Sequence, residues 1–103
     1  MQEEKKRYLG KYLLQETKIN TLNQLAIKNP QRKDYYLRKI KESKELRAEI
    51  EEKIEAVEDG TLSEILYQKY IFGKTLEQIS YILNYSKRHI ERLHIKALEK
   101  IEL

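Results

Sequence analysis

Apolar residues in the first part of the chain recur at intervals of three and four, the spacing of one helix face. They form a heptad-like stripe in which polar Gln15 occupies one slot: Tyr8, Tyr12, Ile19, Leu22 and Ala26. This spacing predicts a helix from about Gln2 to Asn29. Pro30 then interrupts the pattern, because the residue before a proline leaves helical geometry and proline itself suits the start of a helix.

A second stripe predicts a helix from about Gln31 to Glu58. Its apolar members are Tyr36, Ile40, Ile50, Ile54 and Val57, with Ser43 and Arg47 in two of the slots. Two helices joined by so short a connection fold back most simply as an antiparallel hairpin. A coiled coil between chains is the alternative, because stripes with polar slots rarely satisfy each other completely.

Three short helices are predicted after this long segment. Asp59-Gly60 is a helix stop, and Thr61-Leu-Ser-Glu64 has the form of a capping box that opens a helix near Leu62. That helix should end at Phe72-Gly73.

A second capping box, Thr75-Leu-Glu-Gln78, opens a short helix with four apolar residues facing inward: Leu76, Ile79, Ile82 and Leu83. Asn84 closes it, because asparagine tolerates the left-handed conformation, and Ser86 caps a last helix that runs towards Leu103. The sequence therefore predicts an all-α fold. A long helical hairpin or coiled coil (1–58) precedes a C-terminal helix-turn-helix domain (59–103).

The last helix has two different faces. At 100° per residue, Ile90, Leu93, Ala97 and Ile101 fall on an inner stripe, and Arg88, Arg92, Ile95 and Glu99 fall opposite. Major-groove recognition uses such a helix, with basic side chains near its N-terminus reaching the base edges.

From Leu62 to Ile101 the chain resembles the DNA-binding region four of bacterial sigma factors. Leu66 and Tyr70 match its first helix, residues 73–79 its second, and residues 85–101 its recognition helix. The long charged segment ahead of this module, with the run from Arg88 to His94, is more specifically similar to ArpU/RinA-like transcriptional regulators of Gram-positive phages and prophages. Ser80 and Asn84 depart from the usual alanine and glycine, and both remain compatible with the fold.

The resemblance implies a phage or prophage regulator of transcription that reads double-stranded DNA with the helix 87–102. Its base-reading positions fall on Lys87, Arg88, Glu91 and Arg92. Its backbone-contact positions fall on Thr75, Ser86 and Lys96, and we add His89 because it lies near the exposed side of the helix. The N-terminal half does not resemble the sigma-factor segments that bind the minus-ten element or melt DNA, so a complete promoter-opening factor is not expected.

Charge changes the picture of affinity. The 103 residues carry a net charge of +4, but residues 59–103 contain seven basic and six acidic side chains, a net charge of only +1. One copy of the C-terminal module should therefore bind DNA weakly and with strong salt dependence. We expect a homodimer formed through the N-terminal helices, or docking onto RNA polymerase, to supply further affinity.

A basic segment from Lys28 to Arg47 carries eight basic and three acidic residues. It is either a second contact with the DNA backbone or an ordinary solvated surface. The chain has no cysteine, and no stretch resembles a signal peptide or membrane span. We expect a cytoplasmic protein without a membrane partner.

Chemistry of other kinds is not indicated. His89 and His94 are five residues apart, whereas two metal ligands on one helix face need a spacing of three or four, so no metal site is expected and His94 should be a packed histidine. No nucleophile, phosphate-binding loop or catalytic carboxylate pair is present, so we expect no enzyme and no cofactor. The alternatives to a regulator are a small-terminase-like DNA-packaging subunit and a polymerase-binding interaction module.

Overall fold

The computed structural model describes residues 2–103, and all of their regular structure is helical. The helices are α1 (Glu3–Leu9), α2 (Lys11–Lys28), α3 (Lys33–Glu55), α4 (Gly60–Leu66), α5 (Leu76–Leu83) and α6 (Lys87–Lys100). A 3-10 turn, Pro30–Arg32, leads into α3, and a π-helical segment, Tyr67–Ile71, continues α4. The molecule is elongated, with extents of 53 × 26 × 23 Å. The predicted all-α fold is confirmed.

Helices α2 and α3 form an antiparallel hairpin within the chain, with Pro30 in the first turn after the bend as predicted. Both predicted stripes contribute residues to its interior: Tyr12, Ile19, Tyr36, Ile40, Ile50 and Ile54 are buried. Two of the polar slots, Gln15 and Ser43, are buried with them. The third, Arg47, is half-buried, and its Nη1 lies 3.9 Å from Oε1 of Glu16 in an ion pair between the two helices. The polar slots therefore do not prevent the two stripes from packing against each other.

The first predicted helix is divided at Gly10. The chain there keeps right-handed helical geometry, with φ −64° and ψ −13°, but the regular hydrogen bonding of α1 ends at Leu9. Glycine is the weakest ordinary helix former, and this explains why the interruption falls there. Leu9 is completely buried although it lies outside the predicted stripe.

The start of α4 differs from the prediction. The backbone N–H of Leu62 donates to the Asp59 carboxylate over 2.9 Å, so Asp59 is the N-cap and Gly60 is the first helical residue. Gly60 therefore does not end a helix, and Thr61 is not the cap of a capping box. Aspartate is among the strongest N-caps and its charge also favours the helix N-terminus, so the earlier residue takes the capping position.

The largest core cluster joins the long hairpin to the C-terminal helices. Leu9, Tyr12, Ile50, Ile54 and Val57 contribute to it from the N-terminal segment. The C-terminal segment contributes Leu62, Leu66, Tyr70, Ala97, Leu98 and Ile101. The boundary near residue 58 is thus crossed by a continuous apolar core, and the C-terminal helices are fixed to the base of the hairpin.

This shared core makes the stability of the C-terminal helices dependent on α1. We expect Leu9→Ala to lower the free energy of unfolding by about 2–5 kcal/mol, because it leaves a cavity in the shared cluster. Urea unfolding followed by circular dichroism should show one cooperative transition at a lower midpoint. Leu14→Ala, at a residue that is 51% exposed, should change the midpoint little. Fraying of α1 alone, with the main transition unmoved, would contradict this coupling.

Candidate nucleic-acid interface

The chain between α4 and α5 sets the position of the C-terminal helix pair. The N–H of Phe72 donates to the carbonyl of Tyr67 over 3.0 Å, which is the spacing of a π-helix, and the helix ends at Gly73 with φ +71°. The predicted end at Phe72-Gly73 is confirmed. A side-chain carbon on Gly73 would also lie 3.2 Å from Cδ1 of Leu13 in the hairpin. Both the left-handed backbone and this close approach favour glycine here.

Two caps and one turn build the helix-turn-helix geometry. Thr75 Oγ1 accepts from the N–H of Gln78 over 3.1 Å, and Gln78 Oε1 accepts from the N–H of Thr75 over 2.9 Å. Asn84 is left-handed, with φ 60° and ψ 42°. Ser86 Oγ accepts from the N–H of His89 over 3.1 Å and begins α6. The predicted capping box, left-handed turn and final N-cap are all confirmed.

A second, smaller core cluster holds α5 and α6 together. Ile65 of α4, Ile79 of α5 and Ile90 of α6 are completely buried in it. Three leucines pack against them from the edges: Leu76, Leu83 and Leu93. The orientation of the last helix is therefore fixed by apolar contacts with both preceding helices.

Two apolar residues lie differently from the predicted helix faces. Ile82 is 50% exposed rather than inward, so the apolar residues of α5 that contribute to the cluster are Leu76, Ile79 and Leu83. Leu98 is completely buried in the larger cluster although it lies outside the predicted inner stripe. The inner face of α6 is wider than the stripe because both the hairpin base and α4 cover it.

The four residues predicted to read bases lie together at the start of α6. Lys87, Arg88, Glu91 and Arg92 are all exposed on its first two turns. The face opposite them is buried, with Ile90, His94, Ala97 and Leu98 turned into the protein. The side chains of this basic face are therefore accessible, whereas the helix that carries them is held rigidly.

The residues predicted to contact the DNA backbone lie at three separate points. Thr75 is exposed at the N-terminus of α5, Ser86 at the N-terminus of α6, and Lys96 further along α6. The hydroxyl oxygens of Thr75 and Ser86 each accept a capping hydrogen bond from a backbone N–H. The hydrogen of each hydroxyl remains able to donate to a phosphate oxygen. The start of α6 also has backbone N–H groups directed outward, as helix N-termini do, which favours an anion there.

His89 belongs to a small polar cluster that also contains Tyr85 and Arg92. The Tyr85 and His89 rings meet edge to face with centroids 4.9 Å apart. Nη2 of Arg92 lies 3.4 Å from Nδ1 of His89, and the guanidinium donates there. Tyr85 was not among the predicted site residues, although its spacing of four from His89 could have indicated the contact. The cluster orients His89 and one of the two arginines of the basic face.

The charges of the basic face have no acidic partners within the described chain. Ion pairs within 4 Å in residues 2–103 join Lys6 to Glu3, Lys39 to Glu42, and Arg47 to Glu16. None of them includes a residue of α6. Lys87, Arg88 and Arg92 therefore remain available to an external anion, whereas Glu91 provides an acceptor among them.

His94 has a structural role inside the domain. Its Nε2 lies 2.8 Å from the Tyr70 hydroxyl, and the ring is 4% exposed. Burial, with smaller contributions from Lys69 and Lys6, lowers the pKa of His94 to about 4, and burial raises the pKa of Tyr70 to about 12. A buried hydrogen bond between the neutral imidazole and the tyrosine hydroxyl thus links α6 to the π-helical segment.

Residues 2–103 contain no cluster of three or more side chains suited to hold a metal ion. Within the same residues, no helix is both long enough and apolar enough to cross a membrane. Comparisons of the chain with protein-family models, curated proteins and solved structures found no match. The function must therefore be inferred from the residues of this surface.

The left-handed turn can be tested at Asn84. We expect Asn84→Val to lower the free energy of unfolding by about 1–2 kcal/mol, because a β-branched residue is strained in this conformation. Asn84→Gly is the control, since glycine adopts the same backbone without strain and should leave stability nearly unchanged or raise it. Urea unfolding of the three proteins measures both effects. Equal destabilisation by valine and glycine would show that the turn geometry is not the cause.

The buried histidine predicts an acid-sensitive fold. Its unfolded pKa is near 6.5 and its folded pKa about 4, so the unfolded chain binds more protons between these values. Stability should therefore fall as pH drops from about 6.5 towards 4, by roughly 2–3 kcal/mol. The difference between wild type and His94→Leu in urea unfolding at several pH values isolates this contribution. A slope that persists in His94→Leu would assign it to other groups.

Proposed function

We propose that this protein is a sequence-specific, double-stranded DNA-binding regulator of transcription that reads the major groove with α6. The observation that carries the proposal is the exposed, unpaired basic face at the start of a helix whose other face is locked in the core. Residues 62–101 resemble region four of sigma factors, and the long charged segment ahead of them, with the run from Arg88 to His94, is similar to ArpU/RinA-like regulators. This resemblance supports a phage or prophage origin. No catalytic step is part of this function.

Each residue of the basic face has chemistry suited to base edges. Arg88 and Arg92 can each donate two hydrogen bonds to guanine, and Lys87 can donate to the same acceptors. Glu91 can accept from the amino group of cytosine. An acidic residue within a basic face would repel phosphate, so its presence favours contact with bases over a surface that binds only the backbone.

The remaining predicted residues would position the helix. Thr75 at the start of α5, and Ser86, His89 and Lys96 on α6, can each donate to phosphate oxygens. Such contacts fix the register of the helix without carrying sequence information. The two groups should therefore differ in what their loss does to DNA binding.

The charge of the C-terminal helices limits the affinity of a single copy. Residues 59–103 carry seven basic and six acidic side chains, so they can neutralise few phosphates. We infer that the N-terminal hairpin supplies further affinity, by pairing two copies or by docking onto RNA polymerase. Pairing by a two-fold axis would place two recognition helices on neighbouring half-sites.

The proposal can be tested by substitution after a preferred sequence has been selected from random duplex DNA. Arg88→Ala and Arg92→Ala should each reduce affinity for the selected site by about 1–3 kcal/mol and leave affinity for random DNA nearly unchanged. Lys96→Ala should weaken both equally and reduce the salt slope by about one. Arg7→Ala, an exposed charge change on α1, is the control. Fluorescence anisotropy at several salt concentrations measures all four.

Three outcomes would reject this function. Equal losses on selected and random DNA for all three α6 variants would mean that the face does not read sequence. Absence of DNA binding even at low salt would favour an interaction module. A large ring in sedimentation experiments would favour a DNA-packaging subunit.

A further inference from the structure

One side of the hairpin carries a groove of about 840 Å³ between α2 and α3. It runs along α2 from Lys11 to Leu25, a helical length of about 20 Å. None of the residues assigned to DNA contact lines it. The groove is therefore a second surface, separate from the basic face of α6.

The floor of the groove is apolar and partly open. Leu14 is 51% exposed and Tyr35 is 39% exposed, and Leu22, Leu25 and Leu46 are half-buried beside them. These side chains come from both helices of the hairpin. Polar residues also line the groove, namely Gln15, Thr17, Thr21 and Ser43, and the apolar side chains among them could be covered by another apolar group.

The rim of the groove is strongly basic. Lys11, Lys18, Arg32 and Lys39 line it, and Glu42 is the one acidic residue among the lining side chains. Oε2 of Glu42 lies 3.6 Å from Nζ of Lys39, so this carboxylate forms an ion pair within the rim. The rim therefore has a net positive charge, and an occupant with negative charge would complement it.

Part of this rim is held in place by aromatic contacts. The guanidinium carbon of Arg32 lies 4.6 Å from the centroid of the Tyr35 ring, and Nζ of Lys39 lies 5.6 Å from the same centroid. Arg32 also donates to the Tyr36 hydroxyl over 3.3 Å. Two cations are thus positioned above the apolar floor, which reduces the entropy lost when an anion pairs with them.

We propose that this groove binds an acidic amphipathic helix of a partner protein. An apolar stripe of such a helix fits the floor, while carboxylates on its flanks meet the cations of the rim, in the helix-in-groove mode. The length of the groove accommodates about four helical turns. The proposal concerns the hairpin alone and does not require that α6 bind DNA.

Two other occupants fit the groove less well. A second copy related by a two-fold axis would bring the same basic rim against itself, and like charges would oppose each other. The phosphates of DNA would pair with the cations of the rim. The sugar-phosphate backbone, however, offers no apolar surface that could pack against the leucines and Tyr35. An acidic amphipathic helix satisfies both the rim and the floor.

The test uses a fluorescein-labelled, stapled helical peptide of about 16 residues. It carries leucines at positions i, i+4, i+7 and i+11 and glutamates on both flanks. One control peptide has lysines in place of the glutamates, and another has serines in place of the leucines. At physiological salt the first peptide should bind the 103-residue protein at least about tenfold more tightly than either control, measured by anisotropy.

Variants of the protein locate the binding site. The double variant Lys18→Glu, Arg32→Glu should weaken binding of the acidic peptide by at least about tenfold, and Leu14→Asn should weaken it severalfold. The double variant Lys41→Glu, Lys44→Glu makes the same change in net charge at two exposed residues of α3 that do not line the groove, and it should bind as wild type. Circular dichroism verifies that each variant is folded.

Other results would overturn the proposal. Equal binding of the glutamate and lysine peptides would remove the role of the rim, and unchanged affinity in the double variant would place the site elsewhere. A wild-type dimer that Leu14→Asn dissociates in sedimentation equilibrium would assign the groove to a second copy. Displacement of the peptide by random duplex DNA, with the same displacement in Arg88→Ala, would assign it to nucleic acid.

Discussion

The burial of the inner face of α6 determines how the C-terminal helices and their basic face are arranged. Near its N-terminus the helix is held by Ile90 in the small cluster with α4 and α5, and near its C-terminus by Leu98 and Ile101 in the large cluster with the hairpin. Two separate anchors on a rigid helix fix its rotation as well as its position. The exposed arginines and Lys87 therefore have a defined direction before any ligand binds, which lowers the entropic cost of recognition.

Polar contacts complement these anchors where apolar packing is weakest. The N-termini of α5 and α6 have N–H groups without a partner in the helix, and side-chain oxygens of Thr75, Gln78 and Ser86 accept from some of them. Inside the domain the His94–Tyr70 hydrogen bond links α6 to the π-helical segment, and burial favours the neutral imidazole there. The same fold that positions the basic face is thus dependent on pH through a residue that does not belong to that face.

The two proposed surfaces divide the tasks of binding between the two parts of the chain. In the proposed function the α6 face, which has few charges in excess, would distinguish sequences better than it would generate affinity. The hairpin carries a more basic groove with apolar side chains in its floor. A protein partner bound there would form ion pairs with the rim and bury apolar side chains against the floor. A regulator that reads DNA weakly and contacts a second protein can obtain its overall affinity from the two contacts together. Both parts rest on one core, so neither contact involves a freely hinged domain.

The sequence by itself determined the helices, their caps at Thr75 and Ser86, the left-handed Asn84 and the exposed basic residues of α6, because helix periodicity and capping depend on local spacing. It misplaced the start of α4, since Asp59 and Thr61 are both competent caps and only the folded chain shows which of them meets a free N–H. Tertiary structure alone decided that Leu9 and Leu98 are buried, that Ile82 is exposed and that Tyr85 contacts His89. These depend on which neighbours cover each helix face. The basic groove likewise exists only because α2 and α3 bring residues distant in sequence side by side.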